Sequence, residues 1–252
     1  MQVAVAGGTG LVGKFVVAEL RAAGHRPVVL ARSHGVDLTT GVGLEERLSG
    51  SDAVIDVTNI VTTRKKPAVD FFSRTTGHLL SAARSMGIGH LITLSIIGSD
   101  EVDLGYYFGK RVQEELVRDG GVPWTVLRAT QFFEFPEPLL ANRSPVVMMP
   151  RMLTQPVAAQ DVAQKLVEHA VRGPSGMAPE IAGPDRLDMV EMTRRILRAQ
   201  GRRRLVVPVT LPGKVGKAMS GGGLLPRGEY VQCRRTFDEH LASLGRATTC
   251  GR

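Results

Sequence analysis

An α/β fold with a doubly wound, mainly parallel sheet is predicted by three observations. The chain opens on an apolar run that leads through glycines at spacing three into an amphipathic helical pattern. Strand and helix patterns then alternate through the first half, as units with parallel strands require. No internal repeat or composition break marks a second independent domain, and 252 residues, 43% of them hydrophobic, suffice for one sizeable core.

The first element is the strand run Val3 to Ala6, followed by Gly7, Gly10 and Gly13. Gly7 suits the tight turn, Gly10 lets backbone approach a pyrophosphate, and Gly13 lets the helix pack close on the strand. With Thr9, Leu11 and Val12 they form the candidate phosphate cradle, where free N–H groups and the helix dipole favour anions. This makes the fold Rossmann-type and the ligand a dinucleotide, although glycine turns of this kind also occur without ligands. The first helix is expected from about Leu11 to Ala23, with Gly24 after it, and Pro27 to Ala31 reads as the second strand.

In NAD-binding units an acidic residue near the end of the second strand bonds the adenosine 2′-hydroxyl, and here that place holds Arg32 and Ser33. Arginine can pair with a 2′-phosphate and lie against adenine, so NADPH/NADP is the expected cofactor. The sober alternative is an exposed loop arginine. A short helix (Leu44 to Leu48) precedes the strand Ala53 to Val57, whose C-terminal end brings up Thr58 and Asn59 either as ribose contacts or as turn residues. Pro67 is expected to open a long helix burying Phe72, Leu79, Ala83 and Met86, with His78 as a packing or surface residue.

After the strand Leu91 to Ser95, Tyr106 and Lys110 stand four apart on a helical stretch and therefore share a face. A tyrosine that donates a proton near neutrality needs its phenolate stabilised, which a neighbouring ammonium does. In isolation an amphipathic surface explains such a pair better, and the position directly after a strand of a dinucleotide fold reverses that preference.

The stretches Gly7-x-x-Gly10-x-x-Gly13, Asp37-Leu38, Tyr106-x-x-x-Lys110, Trp124 to Ala129 and Val157 to Ala163 together resemble the short-chain dehydrogenase/reductase superfamily, in its atypical NmrA-like branch. The resemblance implies that Asp37, beside Leu38, contacts the adenine amino group, that Lys110 holds the nicotinamide ribose, and that Tyr106 is the catalytic acid. It places the catalytic serine at Ser95, although Ile96 stands where relatives often have a second serine and Ala129 where many have proline.

Beyond Arg128 the alternation loosens. Residues 131–156 are rich in aromatics, prolines and methionines, and they emerge where the strand ends of a doubly wound sheet hold their ligands. We expect Gln131, Phe132, Phe133, Met148, Met149 and Met152 to wall or cover an apolar substrate pocket, with interhelical packing as the alternative for the methionines. Glu134 reads as a solvated loop carboxylate rather than an auxiliary acid. Asp161 is expected to cap a helix to about Val171, Pro179 to Gly183 to form a short last strand, Leu187 to Gln200 another helix, and a final helix to end near Leu244. The division expected is a cofactor-binding part, about residues 1–130, and a small C-terminal substrate lobe from about 131–156 and 179–245.

Composition narrows the function. No apolar run approaches a membrane span and no signal peptide precedes the first strand, so a soluble cytoplasmic protein without membrane partners is expected. Cys233 and Cys250 give neither a disulfide framework nor a metal spacing, and no metal is expected. The net charge of +8 has its tight clusters at Arg64 to Lys66 and Arg202 to Arg204, beside expected helix ends, which reads as solvated surface rather than a nucleic-acid footprint. The expected activity is NADPH-dependent reduction of a carbonyl, quinone or enone group on an apolar, aromatic or polyketide-like small molecule. A non-catalytic NADPH/NADP sensor, or a dehydratase or cyclase on the same scaffold, would use the same pocket.

Overall fold

The structure, a computed structural model, describes residues 1–142 and 144–249. In chain order its elements begin with β1 (Gln2–Ala6), α1 (Leu11–Ala22), β2 (Arg26–Leu30), α2 (Leu44–Leu48), β3 (Ala53–Asp56), α3 (Lys65–Ser85), β4 (His90–Ile96), α4 (Gly105–Asp119) and β5 (Trp124–Ala129). There follow α5 (Glu137–Leu140), β6 (Val146–Pro150), β7 (Leu153–Thr154), α6 (Ala159–Arg172), β8 (Gly176–Met177), β9 (Glu180–Ala182) and β10 (Leu187–Asp188). The last are α7 (Met189–Ala199), β11 (Leu205–Val209), α8 (Gly213–Ser220), β12 (Tyr230–Gln232) and α9 (Phe237–Thr249).

Two compact units divide the chain. The first takes Met1–Asp100, Leu104–Arg128 and Gln160–Pro179, and the second takes Glu101–Asp103, Ala129–Ala159 and the chain from Glu180 on.

The first unit is the expected α/β layer. Its strands lie in the order β5-β4-β3-β1-β2, with β8 beside β5. Pairing is parallel between β1 and β2, β1 and β3, β3 and β4, and β5 and β8. Strands buried on both faces need continuous apolar runs, and every residue of β1 and β3 is indeed buried. The register matters for function: Ala6 lies opposite both Leu30 and Asp56, and Asp56 opposite Thr93, so the chain leaves β1, β2, β3 and β4 along one edge of the sheet. Helices α3 and α4 approach closely because Gly109 faces Phe72; a Cβ at Gly109 would stand 2.7 Å from that ring and 2.9 Å from the Ala68 carbonyl. Beneath them Leu79, Leu80, Ala83 and Val117 pack on Val54, Leu91 and Val126 of the sheet.

In the second unit, β9 pairs with β12 in parallel and Ala129 pairs with Ile181. Strands β6 and β11 form a parallel ribbon, and β7 with β10 a short antiparallel one. Its core holds Phe133, Phe237, Met149, Met152, Met189, Met192 and Ile196, with the Phe133, Phe237 and His240 rings within 6 Å of one another, at centroid separations of 5.5 to 5.9 Å. Cys233 is buried, and Cys250 lies outside the described residues.

Several local expectations need correction. Helix α6 begins at Ala159, which puts Asp161 inside its first turn rather than at the position before it, whereas Asp188 caps α7 by accepting the Val190 N–H. Helix α3 starts at Lys65, which puts Pro67 inside the first turn, where its missing N–H costs nothing. The segment 131–156 contains α5, β6 and β7. Its strand signal was hidden because Val146, Val147, Met148 and Met149 are all apolar, yet alternate exposed and buried.

Candidate functional site

The glycine turn forms as its spacing dictates. Gly7 has a φ of +80°, and a Cβ there would press on the Val57 carbonyl at 3.0 Å. At Gly13 a Cβ would lie 2.1 Å from the Gly7 oxygen and 2.6 Å from the Gly8 Cα, so only glycine lets α1 descend onto the turn. Gly10 precedes the helix without a side-chain cap, and the first turn of α1 carries no acidic residue. Thr9, Gly10 and Leu11 are exposed while Val12 and Gly13 are buried, so the helix start presents backbone N–H groups to a ligand. A dinucleotide pyrophosphate fits this cradle.

Around it the other candidate cofactor contacts gather on the same sheet edge. Arg32 and Ser33 are exposed in the turn after β2, with the Ser33 hydroxyl 3.0 Å from His34 Nδ1. The Asp37 carboxylate accepts from the Thr39 N–H at 2.8 Å and the Thr39 hydroxyl at 2.6 Å, which holds its pKa below the ordinary carboxylate value, with a further contribution from Arg32. Leu38 is half-buried beside it, and its carbonyl meets His78 Nδ1 at 3.0 Å. Thr58 is buried and its N–H donates to Asp56, whereas Asn59 is exposed.

Helix α4 joins two of the candidates to this edge. The Tyr106 hydroxyl donates to Asn59 Oδ1 at 2.9 Å. Lys110, 3% exposed, donates to the Leu94 carbonyl at 2.9 Å and to Gln113 Oε1 at 2.8 Å, and lies 4.4 Å from the centre of the Phe72 ring. Gln113 in turn donates to Asp56 Oδ2 at 2.9 Å, so one chain of hydrogen bonds runs from the end of β3 through α4 to β4. Burial pushes the Lys110 ammonium down to about 8, with Asp56 and Glu114 opposing the shift.

Two expectations about this group change. Lys110 is not what governs the Tyr106 phenol: burial, and after it Tyr107, raise its pKa well above the ordinary value, while the lysine is engaged with Leu94 and Gln113. Ser95 does not present a free hydroxyl either. It is buried and donates to Glu114 Oε1 at 2.5 Å, and Glu114 is gripped by Arg128 through Nε at 3.0 Å and a terminal nitrogen at 2.7 Å. This bidentate pair, extended by Asp100, raises the Arg128 pKa.

Of the expected substrate wall, Gln131 is buried and accepts from the Thr154 hydroxyl, and Phe132 bridges to Val157. Phe133 belongs to the ring cluster with Phe237, and Met149 and Met152 fill the second unit's core. Met148 is 69% exposed, because neighbouring strand residues face opposite ways. Glu134 is not a solvated carboxylate. It is half-buried, desolvation pushes it up to about 7, and its Oε2 is buried without a partner among the described residues. Sequence reasoning missed Asp56, Gln113 and Glu114. The signal was present, since Gln113 and Glu114 follow Lys110 by three and four positions and so share its buried face.

Among the described residues no group of three or more His, Cys, Asp or Glu side chains could hold a metal ion, and no helix is long and apolar enough to cross a membrane.

Comparison with known proteins makes the chain an NAD(P)H-dependent oxidoreductase of the short-chain dehydrogenase/reductase type. The family model described as NAD(P)H-binding matches residues 7–171, and the chain belongs to that family. It is 32% identical over 217 residues to a (4-alkanoyl-5-oxo-2,5-dihydrofuran-3-yl)methyl phosphate reductase of Streptomyces griseus subsp. griseus, covering 79% of this chain and 73% of the relative. Among solved structures, the NADPH-dependent quinone oxidoreductase QOR2 of Escherichia coli superposes with a TM-score of 0.71 at 17% identity over 96% of this chain and 99% of that one. A UDP-glucose-4-epimerase of Stenotrophomonas maltophila gives 0.75 at 14% identity, over 99% and 98% of the two chains. At such identities the structures share the fold.

Proposed function

We propose that the protein uses NADPH to reduce a carbonyl, quinone or enone group of an apolar small molecule, with Tyr106 as the acid. The observation that carries this reading is the convergence of the glycine cradle, the Tyr106–Asn59 pair and the Lys110–Gln113–Asp56 chain at one sheet edge. The Streptomyces relative, named for a conjugated oxo-dihydrofuran substrate, supports the enone member of the class. Exposed Arg32 and Ser33, with no acidic residue at that place, support NADPH over NADH.

When bound, NADPH supplies a hydride. Gly7, Gly10, Gly13 and the start of α1 would take its pyrophosphate, Arg32 and Ser33 its 2′-phosphate, Asp37 and Leu38 its adenine, and Thr58, Asn59 and Lys110 its second ribose. Tyr106 keeps its proton at rest, because burial disfavours the phenolate and Asn59 accepts the O–H. That proton passes from the phenol oxygen to the oxygen or carbon that gains charge in the substrate. Lys110, held by Leu94 and Gln113, supplies positive charge beneath the site. Ser95 acts through Glu114, whose position it fixes, and Gln131 and Phe132 are assigned to the substrate.

The test follows NADPH oxidation optically against quinones, aromatic ketones and enones. Tyr106→Phe should lower turnover by ~10²–10⁴-fold while NADPH affinity holds, as expected for loss of a general acid. Full turnover in that variant would remove the assignment. Arg32→Asp should cost NADPH at least about tenfold in affinity, the worth of one charge-assisted pair, and leave NADH unharmed.

A further inference from the structure

Five arginines, Arg194, Arg198, Arg202, Arg203 and Arg204, line one cavity of about 700 Å³ within the second unit, and Glu191 is the sole carboxylate among its lining residues. The sequence explains the crowding. Arg194 and Arg198 are four apart on α7 and share a face, and the turn that follows brings three consecutive arginines to the same place before β11 begins.

These side chains are not equivalent. Arg202 donates to the Leu140 carbonyl at 2.8 Å, and Arg204 donates to Leu140 at 3.1 Å and to the Asn142 carbonyl at 3.1 Å. These carbonyls, with the side-chain oxygens of Gln200 and Asn142, fix two guanidinium groups in orientation, and neither meets a carboxylate among the described residues. The Nε of Arg204 is buried and meets no acceptor among the described residues. Arg198 spends its charge on Glu191 at 2.7 Å. Arg203 is exposed, and no acceptor is recorded for it among the described residues. Concentrated, partly fixed guanidinium groups match the oxygens of a phosphate or diphosphate, which planar forks bind in pairs. Leu197 and Val206 add apolar wall, and the volume falls in the ordinary range for small-molecule sites.

We infer that this cavity binds a small molecule through a phosphate or diphosphate group, at a site separate from the glycine cradle. A compact cluster lying wholly within one unit suits a small ligand better than a duplex, which calls for an extended basic stripe. The inference does not depend on the reductase reading, because none of these residues belongs to the proposed catalytic set.

The experiment uses the full chain with saturating NADP⁺, so that the cradle is filled, and titrates inorganic pyrophosphate by calorimetry. Saturable binding should weaken at least about tenfold in an Arg194→Gln/Arg203→Gln variant that keeps wild-type thermal stability and NADP⁺ affinity, and should persist in Tyr106→Phe. No saturable binding at millimolar pyrophosphate, or equal binding by wild type and variant, would overturn it. Two further arms separate the sources of phosphate: vesicles of phosphatidic acid in phosphatidylcholine, and a duplex oligonucleotide. If either binds through these arginines and pyrophosphate does not compete, the cavity is a macromolecular surface and the small-molecule assignment is wrong.

Discussion

The first unit and the second handle charge in opposite ways. Under the sheet edge of the first, Asp56 and Lys110 are joined through Gln113 and Glu114 is paired with Arg128, and Ser95, Ser99 and the Leu94 carbonyl take up further hydrogen bonds. In the second, five arginines share a cavity with one carboxylate, and Glu134 is desolvated with one oxygen unpartnered. A charge taken out of water must find a partner or change protonation. The closed network of the first unit is thus a rigid scaffold that positions α4 against β3 and β4. The incomplete compensation in the second marks places where something is still to be gained, from a ligand or from a proton.

The largest effect should come from opening the closed network. Glu114→Ala would leave half-buried Arg128 with only Asp100 of its two carboxylates and buried Ser95 without an acceptor, and Glu114 itself is 4% exposed. Removing one member of a buried pair costs about 3–5 kcal/mol, which urea denaturation should read as a lower midpoint at unchanged slope. A loss under about 1 kcal/mol would mean that the network is not the scaffold described and would erase the contrast between the units.

Next in size is Glu134. Its folded pKa of about 7 lies above the ordinary 4.5, chiefly through burial, with Glu137 adding repulsion and backbone hydrogen bonds opposing. Below about 4.5 both folded and unfolded states hold the proton and nothing is lost. Between 4.5 and 7 the unfolded chain releases the proton and the folded one keeps it, so stability falls as pH rises through this window and stays lower above it. Glu134→Gln removes that dependence. It should match wild type near pH 4 and exceed it by the order of 2 kcal/mol near pH 8, a difference that thermal melts across pH would show. A constant gap at all pH values would mean that the carboxyl is solvated in the folded state.

How much of this could be read in the sequence depended on whether a residue's environment is set locally. The glycine spacing, the apolar strands β1 and β3 and the i, i+4 relation of Tyr106 and Lys110 are local, and the first unit's architecture follows from them. The partner of Ser95 lies 19 residues away and that of Asp56 lies 57 away, so only the packing of α4 under the sheet could reveal that the serine is committed to Glu114 and the lysine to Gln113. Pattern failed also where chemistry did not alternate: β6 and β11 are apolar on both faces at most positions, and their pairing across more than 50 residues carries no local sign. The Arg202 to Arg204 run was visible as a cluster, but its convergence with Arg194 and Arg198 depended on how the turn after α7 folds back.

The smallest stability effect sharpens the comparison most. Glu191 and Arg198 form an exposed pair, with side chains 45% and 69% exposed, and pairs of this kind contribute little to folding because water screens them and long side chains lose entropy. Glu191→Gln should therefore leave the melting temperature almost unchanged, in contrast to Glu114→Ala. The same change deletes the carboxylate that faces the arginine cavity and frees the Arg198 guanidinium. A unit charge removed at roughly 7 Å through a mostly aqueous dielectric is worth somewhat under about 1 kcal/mol, so pyrophosphate should bind about three- to fivefold tighter at low salt, with the gain fading as ionic strength rises. Weaker pyrophosphate binding in Glu191→Gln would mean that the carboxylate orders Arg198 for the anion instead of competing with it, and the cavity's charge would then be as deliberately paired as that of the first unit.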